Sequence, residues 1–149
     1  MIIKKYTNSA DETKELGFTV GKLLQPPAVV LLDGDLAAGK TTFTQGLSKA
    51  IGVNKVVNSP SFTIMKQYKG FATNLYHLDL YRLENVGCDF DLEEYLEDGI
   101  AVIEWPFRVE ELLPDEYLLI KINKVEDNKR EFIISSVGPK YKEVVKCID

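Results

Sequence analysis

Between residues 34 and 41 the chain reads Gly34-Asp35-Leu36-Ala37-Ala38-Gly39-Lys40-Thr41, a glycine, four free positions, then Gly-Lys-Thr. Few folds accommodate that spacing. Its glycines let the backbone curl until several N–H groups converge on one anion, and the helix that must follow points its positive N-terminal end at the same place. In such a phosphate loop Lys40 reaches the β- and γ-phosphates of a nucleoside triphosphate and Thr41 ligates Mg²⁺. The competing reading is a glycine-containing strand-to-helix turn that binds nothing.

The flanking residues supply the strand and the helix that the loop requires. Upstream, Ala28-Val29-Val30-Leu31-Leu32 follows Pro26-Pro27 as a short, branched, apolar run, which is how a buried parallel strand reads. Downstream, Phe43, Leu47, Ala50 and Ile51 recur at helical spacing, and Gly52 stands where the helix would stop.

Further along, the pattern predicts both parallel and antiparallel strands. A short strand opens the chain at Ile2 to Lys4, and a helix follows from Ser9, with Glu12 as its capping-box partner and Leu16, Val20 and Leu23 on its apolar face. Phe62 to Tyr68 and Leu75 to Leu80 are extended and joined across Lys69 to Ala72 as a hairpin. A helical turn is expected around Leu92 to Leu96, and Ile100 to Ile103 is a second buried-strand run. Tyr117 to Asn123 and Arg130 to Ser135 alternate apolar and polar residues around Glu126 to Lys129, a second hairpin with one solvated face. The expectation is a three-layer α/β fold of the P-loop NTPase type, a mixed parallel and antiparallel sheet flanked by helices.

In open α/β sheets ligands lie beyond the carboxyl ends of the strands, so polar residues there are site candidates. Asp79 follows Asn74 to Leu78 and can serve as a carboxylate assisting Mg²⁺, or as a capping or turn aspartate. Glu104 ends the run from Ile100 and can orient the attacking water or complete the metal shell, or be an exposed strand-end glutamate. Ser59-Pro60-Ser61 can bring a hydroxyl to the γ-phosphate in a nucleotide-sensing loop, or be a plain turn. Ser9 to Thr13 and Lys129-Arg130 are the segments expected to contact the base.

With 149 residues and no dividing linker, one domain spanning residues 1–149 is expected. Met1-Ile2-Ile3-Lys4-Lys5 lacks a signal-peptide core and no apolar run approaches the roughly 20 residues that span a bilayer, which predicts a cytosolic protein and no membrane association. Cys88 and Cys147 stand apart, so reduced thiols are expected. The net charge of −5 disfavours direct nucleic-acid binding, which needs a concentrated basic surface.

Taken together, Gly34-Asp35-Leu36-x-Ala38-Gly39-Lys40-Thr41-Thr42, Ser59-Pro60-Ser61-Phe62, His77-x-Asp79-x-Tyr81-Arg82-Leu83 and Glu104-Trp105-Pro106 resemble the TsaE family, formerly called YjeE, in order and spacing along the whole chain. Only the first motif is shared with other phosphate-loop proteins. The resemblance implies an ATPase of bacterial tRNA N6-threonylcarbamoyladenosine biosynthesis. Such a protein works with TsaB and TsaD, which place the threonylcarbamoyl group on adenosine 37 of tRNAs reading ANN codons, and meets tRNA only through that complex. It implies ATP and Mg²⁺ as cofactors, Asp35, Leu36, Ala37, Ala38, Gly39, Lys40, Thr41 and Thr42 around the nucleotide, and Thr41, Glu104 and Asp79 at or near the metal. Ser61 belongs to the switch-like loop, and Trp105 lies beside the nucleotide or in the core. Lys40, Glu104 and Asp79 are the catalytic candidates.

Two positions depart from the family pattern. Ala37 stands where glycine is frequent, which disfavours a left-handed backbone there. Phe107 replaces the acidic or amide residue that often follows Trp-Pro, which predicts slow hydrolysis if that side chain positions water or metal.

Three other readings compete. Asn123-Lys124-Val125-Glu126 imitates the guanine-reading Asn-Lys-x-Asp of GTPases, but its last residue is Glu and Asn123-Lys124 continues a strand pattern. A small-molecule kinase would carry an arginine-rich lid, whereas Arg82, Arg108 and Arg130 are scattered. A nucleotide-dependent interaction module without turnover would share every binding residue. The scattered arginines also predict that a partner completes the site, since an arginine supplied in trans is worth roughly 10³–10⁵ in rate.

Overall fold

A strand with no polar residue before its last position has to be buried on both faces, and the one that precedes the phosphate loop lies at the centre of the sheet. The computed structural model describes residues 1–34, 39–55, 57, 65–71, 73–79, 98–104 and 113–148. Its strands are β1 (Ile2–Thr7), β2 (Ala28–Asp33), β3 (Met65–Lys69), β4 (Asn74–Asp79), β5 (Ile100–Glu104), β6 (Tyr117–Lys124) and β7 (Arg130–Val137). They form one seven-stranded sheet in the order β1-β7-β6-β2-β5-β4-β3. β2 runs parallel to β5 on one side and to β6 on the other, and β4 is parallel to β5. β3–β4, β6–β7 and β1–β7 pair antiparallel, which gives the mixed sheet that the alternating segments predict.

Three helices are described: α1 (Ala10–Leu23), α2 (Lys40–Ala50) and α3 (Lys142–Ile148). All three pack on one face, where Val20, Phe43, Leu47, Val145 and Ile148 meet Val30, Leu32, Leu75, Val102, Ile120 and Phe132. On the opposite face Val29, Leu31, Tyr76, Leu78, Ala101 and Ile103 form a second apolar layer, with Leu113, Tyr117 and Leu119 against it. The expected turn at Leu92 to Leu96 lies outside the described residues.

α1 and α2 touch backbone to backbone. A Cβ at Gly46 would stand 2.0 Å from the Lys14 carbonyl oxygen, and one at Gly17 would stand 2.2 Å from that of Phe43. Two helices can approach this closely only where side chains are missing, and the approach brings the start of α1 beside the start of α2. Gly52, at φ +82°, closes α2 in the left-handed region that favours glycine.

Three features differ from the sequence expectation. β1 runs on to Thr7 rather than stopping at Lys4, because its register with β7 continues through Thr7↔Arg130. Ser9 caps α1 by accepting from the Glu12 N–H at 3.1 Å, yet Glu12 accepts from the Asn8 N–H at 3.0 Å rather than from Ser9 itself. α3 is unexpected, a short helix between charged residues whose buried positions are only Val145 and Ile148. Ahead of it Tyr141, in a 3-10 turn from Pro139 to Tyr141, accepts the Val29 N–H at 2.8 Å. That donor lies one residue before β6 begins to pair with β2 at Val30. Burial pushes the Tyr141 hydroxyl above its ordinary pKa, so it takes the bond as a neutral phenol.

Candidate functional site

Because β2, β5 and β4 are parallel neighbours, their carboxyl ends lie along one edge of the sheet. Glu104 is in register with Leu32 of β2 and Asp79 of β4, so the two carboxylate residues end adjacent strands side by side. Side chains alternate between faces along a strand. Leu75 belongs to the layer under the helices, so His77 and Asp79 point that way too, as does Glu104 two residues after Val102. The strand pattern thus aims all three at the face where α2 starts.

Gly39 precedes α2 at φ +104°, a conformation for which glycine is suited, and it offers no side chain to cap the helix. The first-turn N–H groups have no intrahelical acceptor, which leaves them and the positive end of the helix available to an anion. Lys40 opens the helix and is 4% exposed; its ammonium donates to the Gly34 carbonyl at 2.7 Å and lies 3.8 Å from Glu104 Oε1. Glu104 is 3% exposed, which removes the exposed strand-end reading, and its Oε2 sits 2.5 Å from His77 Nε2. A buried carboxylate needs such partners, since removing a charge from water without them is strongly unfavourable. Asp79 is half-buried beside this pair, and Thr41 and Thr42 are half-buried in the first turn of α2.

A second group of expected residues gathers on the outer side of Gly39. Ser9, Thr13, Gly39, Thr42, Asn128 and Arg130 line a pocket of about 100 Å³, so the start of α1 and the β6–β7 turn meet at the phosphate-loop helix. Arg130 donates through Nη1 to the carbonyls of Glu126 and Asp127 at 2.9 and 3.0 Å, which shapes that turn. Lys129 is placed elsewhere, with its ammonium 5.1 Å from the centre of the Tyr6 ring.

Asp35, Leu36, Ala37, Ala38, Ser61 and Trp105 lie outside the described residues, as do Phe107, Arg82 and Arg108. His77 joins the site although the sequence expectation assigns it no role beyond the motif His77-x-Asp79; the signal that finds it is the period of two from Asp79, which puts it on the site face. The Asn123-Lys124 pair ends β6, and the Asn123 amide donates across the hairpin to Glu131 at 3.2 Å. It is part of a strand ladder rather than a guanine-reading loop.

Among the described residues no cluster of three or more His, Cys, Asp or Glu forms a ready-made metal cage. Mg²⁺ does not require one, as it takes one or two carboxylates and completes its shell with phosphates and water. No described helix is long and apolar enough to cross a membrane.

Comparison with known proteins agrees with this geometry. The family model described as threonylcarbamoyl adenosine biosynthesis protein TsaE matches residues 7–132. The tRNA threonylcarbamoyladenosine biosynthesis protein TsaE of Bacillus subtilis is 41% identical over 140 residues, covering 93% of this chain and 89% of that protein. Its counterpart in Treponema pallidum is 39% identical over 132 residues, covering 87% and 97%. The crystal structure of Bacillus subtilis YdiB superposes with a TM-score of 0.87 at 34% identity, covering 99% of this chain and 94% of that one. With a P-loop NTPase fold, a phosphate-loop lysine set against a strand-end glutamate, and these relatives along nearly its whole length, the chain belongs to the TsaE family.

Proposed function

We propose that this chain is a single-domain, Mg²⁺-dependent ATPase of the cytoplasm. It acts with TsaB and TsaD in threonylcarbamoylation of N6 of adenosine 37 in tRNAs reading ANN codons, without contacting tRNA by itself. The observation that carries the reading is the buried Lys40–Glu104 pair, 3.8 Å apart at the mouth of α2. The names of the relatives, biosynthesis proteins for tRNA threonylcarbamoyladenosine, support the pathway.

The chemistry follows from who holds whom. Lys40 exchanges the Gly34 carbonyl and Glu104 for the β- and γ-phosphate oxygens, which the loop backbone and the start of α2 also receive. Thr41, Asp79 and Glu104 are the residues that would hold Mg²⁺, directly or through its waters; the ion when bound neutralises charge on the phosphates. Glu104 orients the attacking water and takes its proton, a role suited to a carboxylate fixed in a partly dry site. The pocket between Ser9, Thr13 and Arg130 receives the base and ribose side of the nucleotide.

Phosphate release from ATP and from GTP with Mg²⁺, for the protein alone and with purified TsaB–TsaD, tests the reading. Slow, ATP-preferring turnover that rises on adding the partners is expected. Equal rates with and without them, or a preference for GTP, would return the GTPase and kinase readings. Nucleotide binding with no release under either condition would leave an interaction module.

A further inference from the structure

His77 is fully buried, in the layer under α2 that Leu75 and Val102 also occupy. An apolar side chain would fill that layer. The imidazole instead carries two nitrogens into it: Nε2 meets Glu104 Oε2 at 2.5 Å, and Nδ1 has no hydrogen-bond partner among the described residues. An orphaned buried nitrogen is unfavourable, so packing alone does not account for a histidine here. The hold on Glu104 does. A rigid ring walled in by β4 and β5 fixes one carboxylate oxygen, while the other, Oε1, faces the Lys40 ammonium at 3.8 Å.

We propose that His77 is a positioning residue for Glu104: its Nε2 anchors Oε2, so that Oε1 stays aimed at the phosphate side when Lys40 turns from Glu104 to the nucleotide. With an ionised Glu104 the imidazole donates through Nε2–H. Without the anchor, Oε2 of a side chain with three rotatable bonds has lost its fixed protein partner, and Oε1 is no longer confined to one orientation once Lys40 turns to the nucleotide. Nucleotide affinity, carried by Lys40 and the loop backbone, does not depend on it. The role rests on the ATPase reading above.

Steady-state ATP hydrolysis by the full-length protein with TsaB–TsaD, for wild type, H77L, H77Q and H77N, tests it. H77L should lower kcat by about 10- to 100-fold, the usual effect of removing a group that orients an active-site ligand, with KM for ATP changed less than about twofold. H77Q, whose amide nitrogen reaches the place of Nε2, should recover kcat to within about threefold of wild type, and the shorter H77N should not. A kcat for H77L within about twofold of wild type, or equal losses in H77Q and H77N, overturns the role. Should H77L fail to unfold cooperatively, the contrast between the two amide variants decides on the same criterion. A wild type without ATP turnover sinks the ATPase reading and this role together, whereas wild-type turnover indifferent to residue 77 sinks the role alone.

Discussion

Two glutamates in this molecule each have two side-chain partners, and almost nothing else about them is alike. Glu104 is gripped by His77 and Lys40 in a site where none of the three is more than 4% exposed. Glu131, on β7, is half-buried and accepts from the exposed Tyr6 hydroxyl at 3.0 Å and the exposed Asn123 amide at 3.2 Å, in bonds that solvent reaches. Listing contacts would rate the two alike. Desolvation separates them: water competes freely for Glu131, while Glu104 depends wholly on the partners the fold provides. The buried set is therefore where a change propagates into stability and chemistry together.

The sharpest way to break the contrast is Lys40→Ala, which should reduce ATP turnover by at least about 10²-fold, with nucleotide binding lost in a fluorescent-nucleotide titration. Binding at wild-type strength would remove Lys40 from the phosphate site. Glu104→Ala should lower turnover by about 10²-fold while sparing most of the binding. The same variant takes the carboxylate away from the Lys40 ammonium, which keeps the Gly34 carbonyl, and from His77 Nε2, for about 3 kcal/mol of lost stability and a fall in Tm of roughly 6–12 °C. Normal hydrolysis in Glu104→Ala would take it out of the mechanism. At the surface, Glu131→Gln should shift Tm by less than about 2 °C at neutral pH. A larger drop would show that the two glutamates are not so different after all.

The smallest effect is electrostatic. The Asn123 amide, and after it the Tyr6 hydroxyl, hold the Glu131 carboxyl below its ordinary pKa. A depressed folded-state value contributes stability above the ordinary carboxylate range, and that contribution fades as pH falls through the depressed value. Tyr6 is moved the other way, upward, by its bond to Glu131 and by that negative charge, so its contribution is present below the ordinary tyrosine value and fades as pH rises. In a carboxyl-carbon NMR titration, Asn123→Ala should move Glu131 up toward its ordinary value, and Tyr6→Phe should move it up by less. No movement in either variant would mean that solvent has already dissolved the network.

How legible this was in the sequence depended on how local each feature is. Lys40 and its glycines are readable because one short segment contains the whole device, and Asp79 and Glu104 are readable because apolar runs end on them. What the runs do not say is which strands lie side by side. That Asp79 and Glu104 stand in register, and that His77 reaches Glu104 across the β4–β5 pair, follows from pairing between segments far apart in the chain. Burial of Glu104 was hidden for the same reason, since its cover comes from α2 and β4 rather than from its own strand. Helix α3 escaped because its two buried positions are too few to make a period.

The bond from the Val29 N–H to the Tyr141 hydroxyl joins residues 112 positions apart, and both partners of β2 in the sheet, β5 and β6, also come late in the chain. Such distant closures make for slow assembly, and a chain growing from its N-terminus makes the phosphate loop long before it makes the sheet that holds it. During synthesis the loop exists as sequence without being a site. A ligand that recognised only the assembled loop would therefore act on the finished fold, drawing the folding equilibrium toward the native state.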